Sequence, residues 1–159
     1  MEGYLVTKEE IDTFAGTQKT HFLNDGARRV NKSLGDLTGL TGLGFHIIEV
    51  EPGFESTEMH RHYHEDECVY VLTGQAEARV GEKTFSVKAG DFLGYRAGGE
   101  AHSLKNVGDV TLRCIVVGQR SDHDVADYTD LHKRIFRQKG LPWNLVDIDQ
   151  IEQPVAGEK

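Results

Sequence analysis

Three histidines at alternate positions mark the stretch of this chain where metal chemistry is most clearly indicated. His60, His62 and His64 are followed at once by an acidic run over residues 65–67. Because side chains alternate on a β-strand, His60 and His62 would lie side by side on one face. Two imidazoles with a carboxylate nearby are ligands that suit Zn, Mn, Fe, Co or Ni. The stretch therefore predicts a metal site.

The length and charge of the chain narrow the classes of protein to which it can belong. At 159 residues, it is long enough for one domain with its own core. The formal net charge of −8 argues against a nucleic acid or an anionic membrane as partner. The sequence has neither a membrane-length apolar run nor a signal peptide at its start, so we expect a cytoplasmic protein. Cys68 and Cys114 lie in separate apolar segments and are expected to be free thiols.

Short apolar segments separated by turn residues follow one another from residue 45 onward. They predict strands over residues 45–50, 59–62, 68–73, 76–80, 84–87, 92–95, 102–105 and 110–117. No amphipathic helical segment interrupts them, which indicates an all-β sandwich or small barrel. The His-rich stretch is not repeated, so a single domain of this kind is expected.

The segments on either side of these strands are less regular. Residues 1–25 suggest an arm, in which Thr7 and Glu10 could form a capping box for a helix through Phe14; a loop covering one end of the barrel is the alternative. Residues 26–44 are interpreted as irregular coil, with one strand as the alternative. This segment has three cations, Arg28, Arg29 and Lys32. They are expected to form a solvated face; the alternative is that one of them contacts an anionic ligand.

The C-terminal part of the chain is polar but carries too many large apolar residues for disorder. Trp143 and Ile148 are among them. We expect residues 119–159 to form an ordered extension that packs on the barrel or on a dimer partner.

Two sequence motifs between residues 52 and 106 resemble those of a single-domain member of the cupin superfamily. The first motif asks for Gly, His-x-His, Glu and Gly, which are here Gly53, His60, His62, Glu67 and Gly74. The second begins at Gly90 and ends in His-x3-Asn, here His102 and Asn106. The sequence departs from the family motifs in three ways: Gly53 precedes His60 by one residue more than usual, Arg96 occupies the proline position of the second motif, and the loop before His102 is one residue longer.

The resemblance implies a cupin double-stranded β-helix, or jelly roll, with an N-terminal arm over residues 1–42, a barrel over 43–118 and an extension over 119–159. It also implies one divalent metal ion (Zn, Mn, Fe or Ni), held by His60, His62, Glu67 and His102. Three imidazoles and a carboxylate leave coordination positions open, which is typical of catalytic sites. A homodimer is expected from the same resemblance, which is closest to small bacterial cupins labelled sugar-phosphate-isomerase-like.

Several neighbouring residues have weaker interpretations. The motif spacing excludes His64 as a ligand and leaves it beside the site or on the surface. Glu65 and Asp66 are interpreted as a solvated turn, with acceptance of an imidazole N–H as the alternative. His46 is expected to line the barrel or lie on its surface, and Asn106 to close a turn. Tyr70 and Tyr95 are expected in core or wall packing, with the lining of a pocket as the alternative. Arg96 is expected to contact either an anionic ligand or solvent.

Three functions of different classes agree with this reading. The first is a metal-dependent enzyme on a small polar metabolite, such as a sugar-phosphate isomerase. The sequence identifies neither its general base nor a phosphate-binding loop, and Arg96 or Lys105 would have to hold the phosphate. The second is a dioxygenase with Fe or Ni, which the same ligands suit. The third is a non-catalytic cupin that binds or senses a small molecule.

Overall fold

β-Strands dominate the computed structural model, which describes residues 3–157. They are β1 (Thr17–His21), β2 (Asn24–Ser33), β3 (Leu43–Val50), β4 (Arg61–His62), β5 (Glu67–Thr73), β6 (Gln75–Val80), β7 (Lys83–Lys88), β8 (Phe92–Tyr95), β9 (His102–Asn106), β10 (Leu112–Gln119), β11 (His123–Tyr128), β12 (Lys133–Gln138) and β13 (Asn144–Asp147). Two short helices, α1 (Lys8–Thr13) and α2 (Leu34–Leu37), accompany them, with 3₁₀ turns at Thr129–Leu131 and Ile148–Gln150. The predicted all-β fold is confirmed. Within residues 3–157, no helix has the length and apolar character needed to cross a membrane.

The strands form two layers. One is a six-stranded sheet in the order β1-β2-β3-β10-β5-β8. The other contains the sheets β7-β6-β9 and β13-β12-β11-β4, which meet at a backbone bridge between His60 and His102. In that bridge, His60 N donates to His102 O at 3.1 Å and His102 N donates to His60 O at 2.7 Å. The two sheets of the second layer are therefore joined by residues that belong to the two predicted metal-binding motifs.

The core lies between the six-stranded sheet and the β7-β6-β9 sheet. Alternate residues of β10 and β5, such as Leu112 and Val71, point inward and are fully buried. Small residues of β6, Ala76 and Ala78, face them from the other layer. Burying one such Val or Leu side chain contributes roughly 1.5–3 kcal/mol. Cys114 also lies in this core, and both cysteines are free thiols, as expected.

The N-terminal segments contain one confirmed prediction and two corrections. Thr7 Oγ1 accepts from Glu10 N at 3.2 Å, and Glu10 Oε2 accepts from Thr7 N at 2.6 Å, so the capping box exists. Residues 24–33 are one long strand, the alternative given for this segment and not the irregular coil expected first, because β2 pairs with both β1 and β3. Lys32 is not solvated: only 6% of it is exposed, and its Nζ lies 3.3 Å from Glu49 Oε1.

The C-terminal strands continue the second layer. β11 pairs with β4 and is followed by β12 and β13 in the same sheet. Ala126, Tyr128 and Ile135 form a second apolar cluster there, against Leu23. Asp127 is buried in this region and accepts hydrogen bonds from Tyr63 and Arg134. The segment that holds His62 is thus fixed on one side by residues from the end of the chain.

Asn106 closes the turn before β10, as predicted. It is fully buried. Its Nδ2 donates to the carbonyl oxygens of Val50 at 2.8 Å and Val110 at 2.9 Å. Its Oδ1 accepts from Gly108 N at 2.9 Å. One side chain therefore satisfies three backbone groups.

We predict that Asn106→Ala lowers the free energy of unfolding by roughly 2–4 kcal/mol, because it leaves these buried backbone groups without partners. Urea denaturation followed by circular dichroism measures the change. Asn144→Ala is the matched control, because Asn144 is exposed and donates only to the neighbouring Pro142 O. Equal unfolding midpoints for the two variants would contradict the assigned role of Asn106.

Candidate metal centre

The three motif histidines come together because their strands are neighbours in one layer. His60 forms the backbone bridge to His102 at the start of β9. Two residues further on, His62 lies in β4, where it pairs with Ala126 of β11. The alternation predicted from sequence places the His60 and His62 rings together, with centroids 4.9 Å apart. The His60 and His102 ring centroids are 4.5 Å apart.

Glu67 reaches this group from the opposite layer, where it opens β5. One ligand atom from each of His60, His62 and Glu67 lies within 4.8 Å of the other two. Glu67 Oε1 also lies 3.4 Å from His102 Nε2. The structure thus brings all four sequence-predicted residues to one place between the layers, with the compact group formed by His60, His62 and Glu67.

The surroundings of His60 and Glu67 favour the protonation states that a cation needs. His60 Nδ1 lies 2.8 Å from the carbonyl oxygen of Glu58, which can only accept, so Nδ1 carries the proton and Nε2 keeps its lone pair. Burial, together with the neighbouring His102, lowers the pKa of His60 to about 3. Burial alone would raise the pKa of Glu67, but the hydrogen bond with His102 and the nearby imidazoles lower it to about 2. A neutral imidazole and an ionised carboxylate are the forms that bind metal.

Tyr95 fixes the ring of His102. The two rings stack with centroids 3.6 Å apart and an interplanar angle of 4°. Tyr95 is buried, so it packs in the wall of the barrel as predicted. The Nδ1 atom of His102 is buried and has no hydrogen-bond partner among residues 3–157. The aromatic contact therefore provides the orientation that a hydrogen bond provides for His60.

Asp124 holds His62, and sequence analysis did not identify it. Asp124 is 1% exposed, and its Oδ2 accepts from His62 Nδ1 at 2.8 Å. Burial acts to raise the pKa of Asp124, but hydrogen bonds from His62 and Arg137 outweigh it and hold that pKa below its ordinary value. The available signal was the alternation of Asp124 with the apolar Ala126 and Tyr128 in one short segment. That alternation placed the carboxylate on a buried face.

Glu65 belongs to the same network, which corrects its interpretation as part of a solvated turn. It is 7% exposed and accepts from Ser121 N at 2.8 Å and from Arg137 Nη2 at 2.5 Å. Arg137 Nη2 also lies 2.5 Å from Asp124 Oδ2. Although His62, Glu65 and Asp124 form a second group of possible metal ligands, both carboxylates already pair with the Arg137 guanidinium. This group is an ion-pair network that supports His62.

A cavity of about 480 Å³ opens beside the four residues. The N-terminal strands contribute His21, Phe22 and Arg29 to its wall, and the C-terminal strands contribute Tyr128, Ile135 and Arg137. His46 also lines the cavity, which is one of the two positions predicted for this residue. His21 had no predicted place in a site, whereas Arg29 was one of three cations of which one was the alternative candidate for contact with an anionic ligand. The walls of the cavity are therefore built by the two ends of the chain.

The remaining candidates lie elsewhere. His64 is exposed, and its ring lies beside that of His123, with centroids 5.4 Å apart. Arg96 and Lys105 are exposed and do not line the cavity beside the histidines. Tyr70, expected in wall packing, is instead 44% exposed on the outer face of the six-stranded sheet. Its partners in register are Phe92 and Ile115, whose side chains share that outer face.

A two-layered β-barrel with a His/Glu group between its layers defines a protein of the cupin class, and its His60, His62 and Glu67 could hold a metal ion. The chain belongs to the cupin superfamily: the cupin domain family matches residues 46–118. A crystal structure from Acidithiobacillus ferrooxidans, named "Putative sugar phosphate isomerase", is 48% identical with a TM-score of 0.93, over 96% of this chain and 97% of that one.

Two further comparisons are more distant. A cupin-superfamily sugar phosphate isomerase from Silicibacter pomeroyi is 24% identical with a TM-score of 0.78, over 96% of this chain and 97% of that one, which shows the fold alone. The Oxalate-binding protein of Thermotoga maritima is 33% identical over 73 residues, or 46% of this chain. The chain spans 59% of the length of that curated relative.

We predict that Asp124→Asn weakens metal binding by about 10- to 100-fold, because the carboxylate that orients a coordinating imidazole is lost. Competition with a coloured chelator measures the dissociation constant, with circular dichroism as the check on folding. Asp122→Asn is the control, because Asp122 is exposed and pairs only with Lys139 on the surface. An unchanged metal affinity in the folded Asp124→Asn variant would show that Asp124 does not support the site.

Proposed function

We propose that this chain binds one divalent metal ion through His60, His62, Glu67 and His102. The observation that carries the proposal is the convergence of these side chains from both layers, with His60 neutral and Glu67 ionised. Imidazole and carboxylate ligands without thiolate suit Zn, Mn, Fe or Ni. Both cysteines lie outside the group, which agrees with this choice.

We further propose that the reaction is the isomerisation of a small sugar phosphate. The name of the 48%-identical relative, over nearly its whole length, supports this choice. A divalent ion would supply Lewis acidity, polarising adjacent hydroxyl and carbonyl oxygens of the sugar. The cavity of about 480 Å³ is of the size that accepts a small metabolite. The chain must then supply a group that moves a proton between neighbouring carbons.

His21 is the proton-transfer group that the cavity offers. Its Nδ1 accepts from Leu23 N at 3.2 Å, which in the neutral ring places the proton on Nε2. Burial, opposed by the charge of Glu58, lowers the pKa of His21. Its ring centroid is 5.1 Å from that of Tyr128, which is in turn 6.5 Å from that of His60. His21 therefore lies beside the ligand group without belonging to it, and in this tautomer its Nε2–H can donate a proton to a substrate oxygen.

The ligand assignment predicts that His60→Ala and His102→Ala each lose most of their bound metal, because each removes one imidazole from the site. His64→Ala is the matched control and retains metal, since His64 is exposed and outside the group. Elemental analysis after dialysis gives the metal content of each protein. Full occupancy in both site variants would refute the assignment.

The reaction is tested with metal-loaded protein and a panel of ketose and aldose phosphates, followed by nuclear magnetic resonance. We expect interconversion of one pair, and a loss of kcat on the order of 10²- to 10⁴-fold in His21→Gln. His123→Gln is the control, because His123 is exposed and does not line the cavity. If no pair is interconverted and the iron-loaded protein instead consumes oxygen, the dioxygenase hypothesis replaces the isomerase.

A further inference from the structure

Arg29 lies on the cavity-facing side of β2. The neighbouring residues on the same face, Ala27 and Asn31, are 1% and 6% exposed, and all three line the cavity. The intervening Arg28 is on the other face, where its guanidinium lies over the Phe54 ring at 5.2 Å. The pleat of β2 thus sends one of two adjacent arginines into the cavity and the other away from it.

The guanidinium of Arg29 is held by the backbone but is not neutralised. Its Nη1 donates to the carbonyl oxygen of Ser56. Its Nε is buried and has no hydrogen-bond partner within residues 3–157. No carboxylate in this described part of the chain comes within 4.0 Å of it. The side chain is therefore positioned, while its charge stays available.

The other arginines of the cavity wall differ in this respect. Arg120 pairs with Asp36 at 2.6 Å, and Arg137 pairs with both Asp124 and Glu65. Arg29 alone among the cavity arginines of residues 3–157 lacks such a partner. Leaving a partly buried cation unpaired is costly, so its retention calls for an anion that arrives from solution.

Arg29 also interacts electrostatically with the candidate metal centre. Burial lowers the pKa of Arg29 and the carboxylate of Glu67 opposes that effect, which places Glu67 within electrostatic reach. Arginine remains charged throughout the physiological range. Because Glu67 is assigned to the metal ion, it is not free to neutralise the guanidinium. Arg29 then remains the cavity arginine without a carboxylate partner within 4.0 Å in residues 3–157.

We propose that Arg29 is the anion-binding residue of the cavity and binds an oxyanion of the substrate, the phosphate of a phosphorylated sugar. The planar guanidinium presents donors in the fork that matches phosphate and carboxylate oxygens. This assignment rests on the proposed function for the identity of the substrate. The subsite itself depends only on the position of Arg29. It takes the place of Arg96 and Lys105, which lie outside the cavity.

Calorimetric titration of the metal-loaded protein tests the subsite with four probes: ribose 5-phosphate, unphosphorylated ribose, inorganic phosphate and oxalate. Wild-type protein is expected to bind ribose 5-phosphate at least tenfold more tightly than ribose. Arg29→Gln is expected to weaken ribose 5-phosphate binding on the order of 10- to 100-fold, because it removes hydrogen bonds to a charged group. Binding of ribose should not change, and metal content should equal that of wild type.

Arg28→Gln is the matched control, as the adjacent arginine on the opposite face, and should bind all four probes as wild type does. Arg29→Lys keeps the positive charge but loses the planar, forked set of guanidinium donors, so it should retain part of the affinity for ribose 5-phosphate. It replaces Arg29→Gln in the experiment if that variant does not fold. Equal affinity of wild type and the Arg29 variants for phosphate, ribose 5-phosphate and oxalate would overturn the subsite. Arg29-dependent binding of oxalate alone would overturn the phosphate assignment and identify a carboxylate ligand.

The outcomes separate this inference from the proposed reaction. Turnover of a sugar phosphate with the same KM in wild type and Arg29→Gln would contradict the Arg29 subsite and support the isomerase proposal. Arg29-dependent binding of ribose 5-phosphate without turnover of any sugar phosphate would support the Arg29 subsite and contradict the isomerase proposal.

Discussion

The backbone bridge between His60 and His102 is the contact on which the rest of the site depends. It joins residues that are far apart in the sequence, and its two hydrogen bonds connect the sheet β7-β6-β9 to the sheet β13-β12-β11-β4. The same bridge sets the His60 and His102 rings 4.5 Å apart. A fold with its own apolar core thus positions the candidate ligands through backbone geometry. Side-chain contacts from Tyr95, Asp124 and the Glu58 carbonyl then orient them.

Different strands supply the ligand group and the walls of the cavity beside it. The central strands supply the ligand group, whereas β1, β2, β11 and β12 supply the walls beside it. Within residues 3–157, the cavity residues Arg120 and Arg137 pair with carboxylates, whereas Arg29 and the exposed Lys19 have no such partner. The two ends of this chain therefore build the walls beside the ligand group, where our proposals place substrate contacts. That is the reason for assigning substrate recognition to Arg29 and proton transfer to His21.

Sequence patterns predicted those features that depend on local structure. The strand positions of the barrel, the capping box at Thr7 and the turn closed by Asn106 each depend on neighbouring residues, and the structure confirms them. Burial of Arg29 and Lys32 was missed because residues 24–33 have little β-propensity, and their strand exists only through pairing with β1 and β3. Asp124 and Glu65 were missed for a related reason. Their partner Arg137 lies 13 and 72 residues away along the chain, and no local pattern identifies it.

The central claim is that three imidazoles and one carboxylate converge on a single metal ion between the two layers. X-ray absorption at the metal edge tests it most directly, since multiple scattering from imidazole rings counts the histidine ligands. Zinc-loaded wild-type protein should give three imidazoles and light-atom oxygen scatterers, with no sulfur. A spectrum with a cysteine sulfur, or with a single imidazole, would contradict the account.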